Sequence, residues 1–227
     1  ATKKPSERIA PMLARFNPTF AALDYDSYVL PDERQTTASK NPVRKFRELF
    51  VGALAFVTPL IWAAYFFSSF AIYLKSAYGV IFIENLGIGR QDAAWLGSIG
   101  AILGALGGVV LLALTERRGP GWIALAPLLG VPTVLLIGTG IAVGGAAFVP
   151  VLLVGWVMVG AGHAAVISIT SIYYPSTVRA TGGGWASFMA KFAAVAAPIF
   201  GAQFLAGREG AMAGYTFTAL CLAGIVV

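Results

Sequence analysis

Tyr174-Pro-Ser-Thr-Val-Arg-Ala-Thr-Gly-Gly-Gly-Trp185 is a short polar turn that opens into an apolar segment running past Lys191 to Pro198. If Gly183–Leu205 is a membrane span, Lys191 lies seven residues past Gly184, about 10 Å into it at 1.5 Å per residue. A cation inside lipid costs roughly 2.5–3.5 kcal/mol on insertion scales, so it implies a counter-charge, a ligand or a wet cavity.

The composition supports that setting. Of 227 residues, 58% are hydrophobic and 11% charged, against about 25% charged in a soluble domain. The net charge of +6 is not a nucleic-acid footprint. Nine of the sixteen Lys and Arg precede Phe50, mixed with six of the ten acids, and no basic stripe alternates with stacking aromatics. One cysteine, Cys221, excludes an intrachain disulfide. The chain starts at Ala1 without Met and stops at Val227 inside an apolar run, so a piece of a longer protein is expected.

Residues 1–48 are polar and broken by Pro5, Pro11, Pro18, Pro31 and Pro42, which predicts a solvated loop. Residues 49–227 hold six apolar segments of the length a spanning helix needs, about 20 residues. They cover Phe50–Tyr73, Ala93–Leu114, Trp122–Val143, Val149–Ile172, Gly183–Leu205, and a last one from Ala211 that is cut short. The expected fold is therefore an all-α membrane protein of six transmembrane helices. Lys75–Gln91 is read as an outer extension of the first helix followed by a turn. Lys and Arg concentrate before Phe50, at Glu116-Arg-Arg-Gly-Pro120 and at Arg179, whereas the alternate connectors carry only Arg90 and Arg208. The positive-inside rule then puts residues 1–48 in the cytoplasm. Gly100, Gly104 and Gly108 repeat every four residues, which predicts a close helix–helix contact.

The ionisable groups inside the spans, tyrosines and Cys221 aside, are His163 and Lys191. Lys75 is read as lying at an outer helix end, where snorkelling accounts for it. His163 shares a helical face with Thr170 and Ser171, and two readings stay open for it: a histidine satisfied by a neighbouring hydroxyl, or a functional one. Thr58, Trp62, Tyr65, Ser69 and Tyr73 form a stripe that is either packing or a half-polar cavity wall. One His, one Cys and no intramembrane acid supply neither a metal site nor a nucleophile–base pair, so neither an enzyme nor a cofactor is expected. A bulky interior with a single cation suits binding one anion at a time better than conducting ions.

Tyr174-Pro-Ser-Thr-Val-Arg-Ala-Thr-Gly-Gly-Gly-Trp-Ala186 resembles the turn between helices ten and eleven of the major facilitator superfamily. Within it the stretch is most similar to the aromatic acid:proton symporter family, which reads Tyr-Pro-Thr-x-x-Arg-Ala-Thr-Gly-x-Gly-Trp-Ala there. Val29-Leu-Pro-Asp-Glu33 with Pro42-Val43 and Leu49-Phe50 resembles the end of that family's central loop. Trp62 with Tyr65-Phe-Phe67 resembles its seventh helix, and Glu116-Arg-Arg-Gly119 its turn between helices eight and nine.

The resemblance implies a central loop plus the carboxy-terminal six helices of a twelve-helix carrier, built as two three-helix repeats. It implies proton-coupled uptake of a small aromatic carboxylate across the inner (plasma) membrane, with the amino-terminal half as partner. Lys191, where the family has an arginine, would hold the anion. His163, Tyr65, Ser69 and Thr170 would line the cavity. Glu116, Arg117, Arg118 and Arg179 would form a cytoplasmic gate. The alternatives are a carrier for a sugar acid or organic cation, and a membrane scaffold.

Overall fold

The computed structural model describes Arg15 and residues 41–226; the readings placed on residues 1–40 lie outside them, apart from a turn at Arg15. Asn41–Val227 forms one compact unit. It is built of seven helices: α1 (Pro42–Glu48), α2 (Leu54–Asn85), α3 (Arg90–Arg118), α4 (Leu125–Gly138), α5 (Phe148–Tyr173), α6 (Ser176–Gly201) and α7 (Gly207–Ala223). Short 3-10 turns join several of them, Pro120–Ala124 leading into α4. The described residues hold no strand. Five segments are long and apolar enough to cross a membrane: α2, α3, Pro120–Gly138, α5 and Ser176–Phe204. The sixth, α7, has 17 residues and sits against α2 and α4 in the same bundle.

The expected outer extension of the first helix is present, and two other boundaries differ from the sequence reading, each for a local reason. α2 continues through that extension to Asn85, with Gly79 accommodated inside the helix. It ends at Gly87, whose φ of +99° suits a residue without Cβ. There Gly87 N–H donates to Glu84 O at 2.9 Å and Ile88 N–H to Ile83 O at 3.3 Å, which satisfies the last carbonyls. The third span stops at Gly138 rather than Val143, since Gly140 (φ +79°) turns the chain.

α6 begins at Ser176, directly after Pro175, so Arg179 and the three glycines are already helical. The turn proper is Tyr174-Pro175. The Tyr174 ring folds back on α6, where a Cβ on Gly182 would stand 2.5 Å from Cε2. Arg179 Nε donates to Tyr174 O at 3.0 Å. The motif is thus a self-contained clamp in which tyrosine, arginine and glycine each have a geometric task.

The bundle has a repeat. α3 lies on α5 as α6 lies on α2; α4 lies on α5 as α7 lies on α2; α4 meets α7, and α2 meets α5. Exchanging α2–α4 with α5–α7 reproduces this scheme, the two-repeat arrangement expected above. α2 and α5 form the centre, α3 and α6 flank it, and α4 and α7 support it. Since successive helices alternate in direction, α1, the Glu116–Gly119 end of α3 and the Tyr174–Pro175 turn share one end.

The α3–α5 contact uses the glycine stripe in a parallel register. Gly100, Gly104 and Gly108 face Trp156, Gly160 and Ala164. A Cβ on Gly160 would lie 3.0 Å from Gly104 Cα, so the backbones nearly touch. The Trp156 indole, 3% exposed, is wedged between α2 and α3: a Cβ on Gly79 would stand 2.9 Å from it and one on Gly100 2.5 Å. At the α1 end, Phe46, Phe50, Trp62, Trp185 and Phe188 form one aromatic cluster joining α1, α2 and α6.

Gly100→Ala is therefore expected to destabilise the bundle by about 1–3 kcal/mol through overpacking. Trp156→Phe in the same chain should recover part of the loss. Gly184→Ala is the control: it meets nothing within 4 Å and should be neutral or gain about 0.5–1 kcal/mol of helix propensity. Thermal melts in detergent measure all three.

Candidate functional site

In a helix, residues seven apart share a face. Ser68 and Lys75 do so on α2, and Trp156, His163 and Thr170 on α5. α2 and α5 run antiparallel, and the two faces meet as three rungs. At one end the Tyr65 hydroxyl donates to Ile167 O at 2.7 Å and lies 3.3 Å from Thr170 Oγ1. Next, His163 Nδ1 is 3.4 Å from Ser68 Oγ. Farther on, Lys75 Nζ stands over the Trp156 ring, 4.9 Å from its centroid. The result is a line of polar groups between the two central helices.

Each residue proposed from sequence has a definite place. Tyr65 and Thr170 meet directly. His163 is half-buried on the seam, with Ser68 rather than Ser69 as its neighbour. Ser69 is fully buried and its hydroxyl has no hydrogen-bond partner among the described residues. Lys191 is exposed on α6, on the side away from the residues packed against α2. With α6 starting at Ser176, it is fifteen residues from the helix start, about 22 Å along the helix. The structure does not bring it to the seam rungs through any hydrogen bond or ion pair among the described residues. Its neighbours on α6 include the exposed Phe188, Phe192 and Val195.

Glu116, Arg117, Arg118 and Arg179, expected from sequence to form a gate, lie at one end of the bundle. Glu116, Arg117 and Arg118 are exposed in the last turn of α3. The Arg118 guanidinium lies 5.5 Å from the Trp122 ring centroid, and Arg179 is tied to Tyr174 O. No ion pair links Glu116 to these arginines among the described residues.

Three residues outside the expected site stand on the seam: Ser68, Lys75 and Trp156. Lys75 is not at an outer helix end: α2 runs ten residues beyond it. Its stem tilts toward the helix start, and its Nζ lies 4.0 Å from where a Cβ on Gly104 would stand, at the middle of α3. Trp156 gave no polar signal of its own. What could have found both is the seven-residue spacing from Ser68 to Lys75 and from Trp156 to His163. A cleft of about 650 Å³ between α2, α3 and α5 opens beside them.

No family model matches the chain. Curated relatives do. It is 30% identical over 206 residues to the gallate transporter of Pseudomonas putida, covering 90% of this chain and 44% of that protein. It is 28% identical over 201 residues to the 4-hydroxybenzoate transporter PcaK of Pseudomonas aeruginosa, covering 88% and 44%. It is 27% identical over 207 residues to the 3-(3-hydroxy-phenyl)propionate transporter of Escherichia coli, covering 87% and 49%. The chain thus spans about half the length of these relatives. They bear out the resemblance to aromatic-acid transporters drawn from Tyr174–Ala186, and carry it across nearly nine-tenths of the chain. With five helices fit to span a bilayer, the chain is an all-α multi-pass membrane protein.

The two hydroxyls at the seam's edge separate cleanly. Tyr65→Phe removes a good hydrogen bond and leaves Ile167 O without that donor, a loss of about 1 kcal/mol. Ser69→Ala deletes a buried hydroxyl with no partner and should be neutral or stabilising. Melting temperatures of the two variants in detergent give the comparison.

Proposed function

We propose that this chain is the carboxy-terminal half of a carrier that takes up small aromatic carboxylates together with protons by alternating access. The supporting observation is the similarity to three transporters whose names specify gallate, 4-hydroxybenzoate and 3-(3-hydroxy-phenyl)propionate. Each is an aromatic ring with hydroxyl and carboxylate groups. A central pair of helices carrying the polar line suits such a solute: the ring takes apolar walls and the polar groups fix its orientation.

In this reading the chain completes its cavity only with an amino-terminal half, because carrier sites form between repeats near the bilayer midplane. Lys191, exposed on α6, offers a cation to the face that the other half would cover. His163, beside Ser68, is the seam's proton-responsive group, and Tyr65 and Thr170 line the seam with it. Ser69 supports the helix from behind. Glu116, Arg117, Arg118 and Arg179 face the cytoplasm and change partners as the halves rock. Residues 1–48 are the cytoplasmic loop joining the halves, with α1 at its end, and the membrane is the inner (plasma) membrane.

Reconstituted as the full two-half protein, the carrier should take up radiolabelled gallate or 4-hydroxybenzoate saturably, faster with an inward proton gradient. This chain alone should not. Gradient-independent uptake by the full protein would remove the proton from the reading, and no uptake of either acid would remove the substrate class.

Orientation has its own test. In a Cys221→Ala background, Gly121→Cys and Ala146→Cys place thiols at opposite ends of the bundle. An impermeant thiol reagent applied to intact cells should label position 146 and spare position 121. The reverse pattern would invert the topology.

A further inference from the structure

Lys75 has no counter-charge among the described residues. Glu84, Asp92, Glu116 and Glu209 all stand near helix ends, and the one ion pair among the described residues is Arg44–Glu48 at 3.4 Å. None of the three ammonium N–H groups donates to a protein acceptor there. The ammonium does have the Trp156 face. A cation–π contact of this kind attracts by electrostatics yet leaves the charge whole. A carboxylate partner would instead neutralise it. The indole cannot swing away, being wedged between Gly79 and Gly100. It holds the cation at a set place, level with the middle of α3, with its donors free.

The cleft beside it has the size of a small-molecule site. Its volume of about 650 Å³ falls within the range of about 300–1,000 Å³ usual for ligand pockets. Gly104 and Gly160 line it without a Cβ, so a flat ring can lie close to backbone. Ser76 and Ser98 are the hydroxyls in its wall. Each donates its own proton to a carbonyl of its helix, Ser76 to Ile72 O at 2.8 Å and Ser98 to Ala94 O at 3.1 Å. Their oxygens therefore remain acceptors. A ligand that brings an anion for Lys75, a planar body for the slot and O–H donors for the serines matches every polar group in the wall.

We infer that Lys75 binds the carboxylate of a hydroxylated aromatic acid in the cleft between α2, α3 and α5. Trp156 positions the ammonium, and Ser76 and Ser98 receive the ring hydroxyls. This rests on the transport reading above and adds an anion site built wholly within this half and separate from Lys191. Removing the cation removes one member of the charge pair and leaves the carboxylate unpaired. Removing Trp156 leaves the charge but frees its position.

The test uses the full two-half protein, purified in detergent, with 4-hydroxybenzoate as the calorimetric probe. Wild type, Lys75→Gln, Lys75→Arg and Lys191→Gln are compared, with the unliganded melting temperature of each. Lys75→Gln should raise Kd about 30-fold or more. Lys75→Arg should recover most of the affinity, because it keeps the charge. The unliganded Lys75→Gln protein should melt no lower than wild type, since relief of an uncompensated charge offsets the lost cation–π contact. If Lys75→Gln binds the probe as tightly as wild type, the inference is overturned and the transport reading survives. The same holds if only Lys191→Gln weakens binding. If Lys75→Gln melts lower and Lys75→Arg does not restore binding, the lysine is structural and the inference again fails. If wild type binds no aromatic carboxylate, both fall together.

Discussion

Helices in lipid gain little from hiding apolar side chains, because the solvent is as apolar as they are. Their association depends on how closely backbones approach. In this bundle the contact on which the rest depends is the near-touch of α3 and α5 at Gly104 and Gly160. It sets the parallel register in which Gly100 meets Trp156 and Gly108 meets Ala164. That register in turn seats the indole between α2 and α3 and places the Lys75 ammonium at mid-helix. Were α3 and α5 held farther apart, the indole would lose its wedge and the cation its platform.

The polar line along α2 and α5 follows from the same economy. A polar group among lipid-facing helices needs a partner inside the protein. Tyr65 finds a backbone carbonyl, Ser68 and His163 face each other, and Lys75 takes an aromatic face. The line runs between the two central helices, where both repeats converge, rather than along α4 or α7, which support the bundle from behind. The aromatic cluster of Phe46, Phe50, Trp62, Trp185 and Phe188 closes one end of the pair formed by α2 and α6, so the short α1 is fastened to both.

The class of the fold was plain in the residues, because apolar length and alternating basic connectors are one-dimensional signals. The glycine stripe was legible for the same reason: its spacing of four names a face. Lys75 was misplaced by a boundary. Reading Lys75 at the start of an outer extension makes a mid-bundle cation a helix-end one, and only the Gly87 terminus shows how far α2 continues. Ser69 and Ser68 are adjacent in sequence yet point to different surroundings, and stripe counting alone does not choose between neighbours. Trp156 was invisible because its significance lies in what surrounds it. A tryptophan in an apolar segment reads as bulk until two glycines from other helices are seen to accept it.

That accommodation constrains how this bundle can diverge. Gly79 and Gly100 have room only because each lacks a Cβ, and the indole has room only because both do. A lineage in which either glycine grows must first shrink position 156, and a lineage that shrinks position 156 opens a void that the glycines are then free to fill. The order of substitutions is fixed by volume. Among descendants of this chain, residues 79, 100 and 156 should therefore change as a set, and two contacts between three helices should be readable from sequences alone.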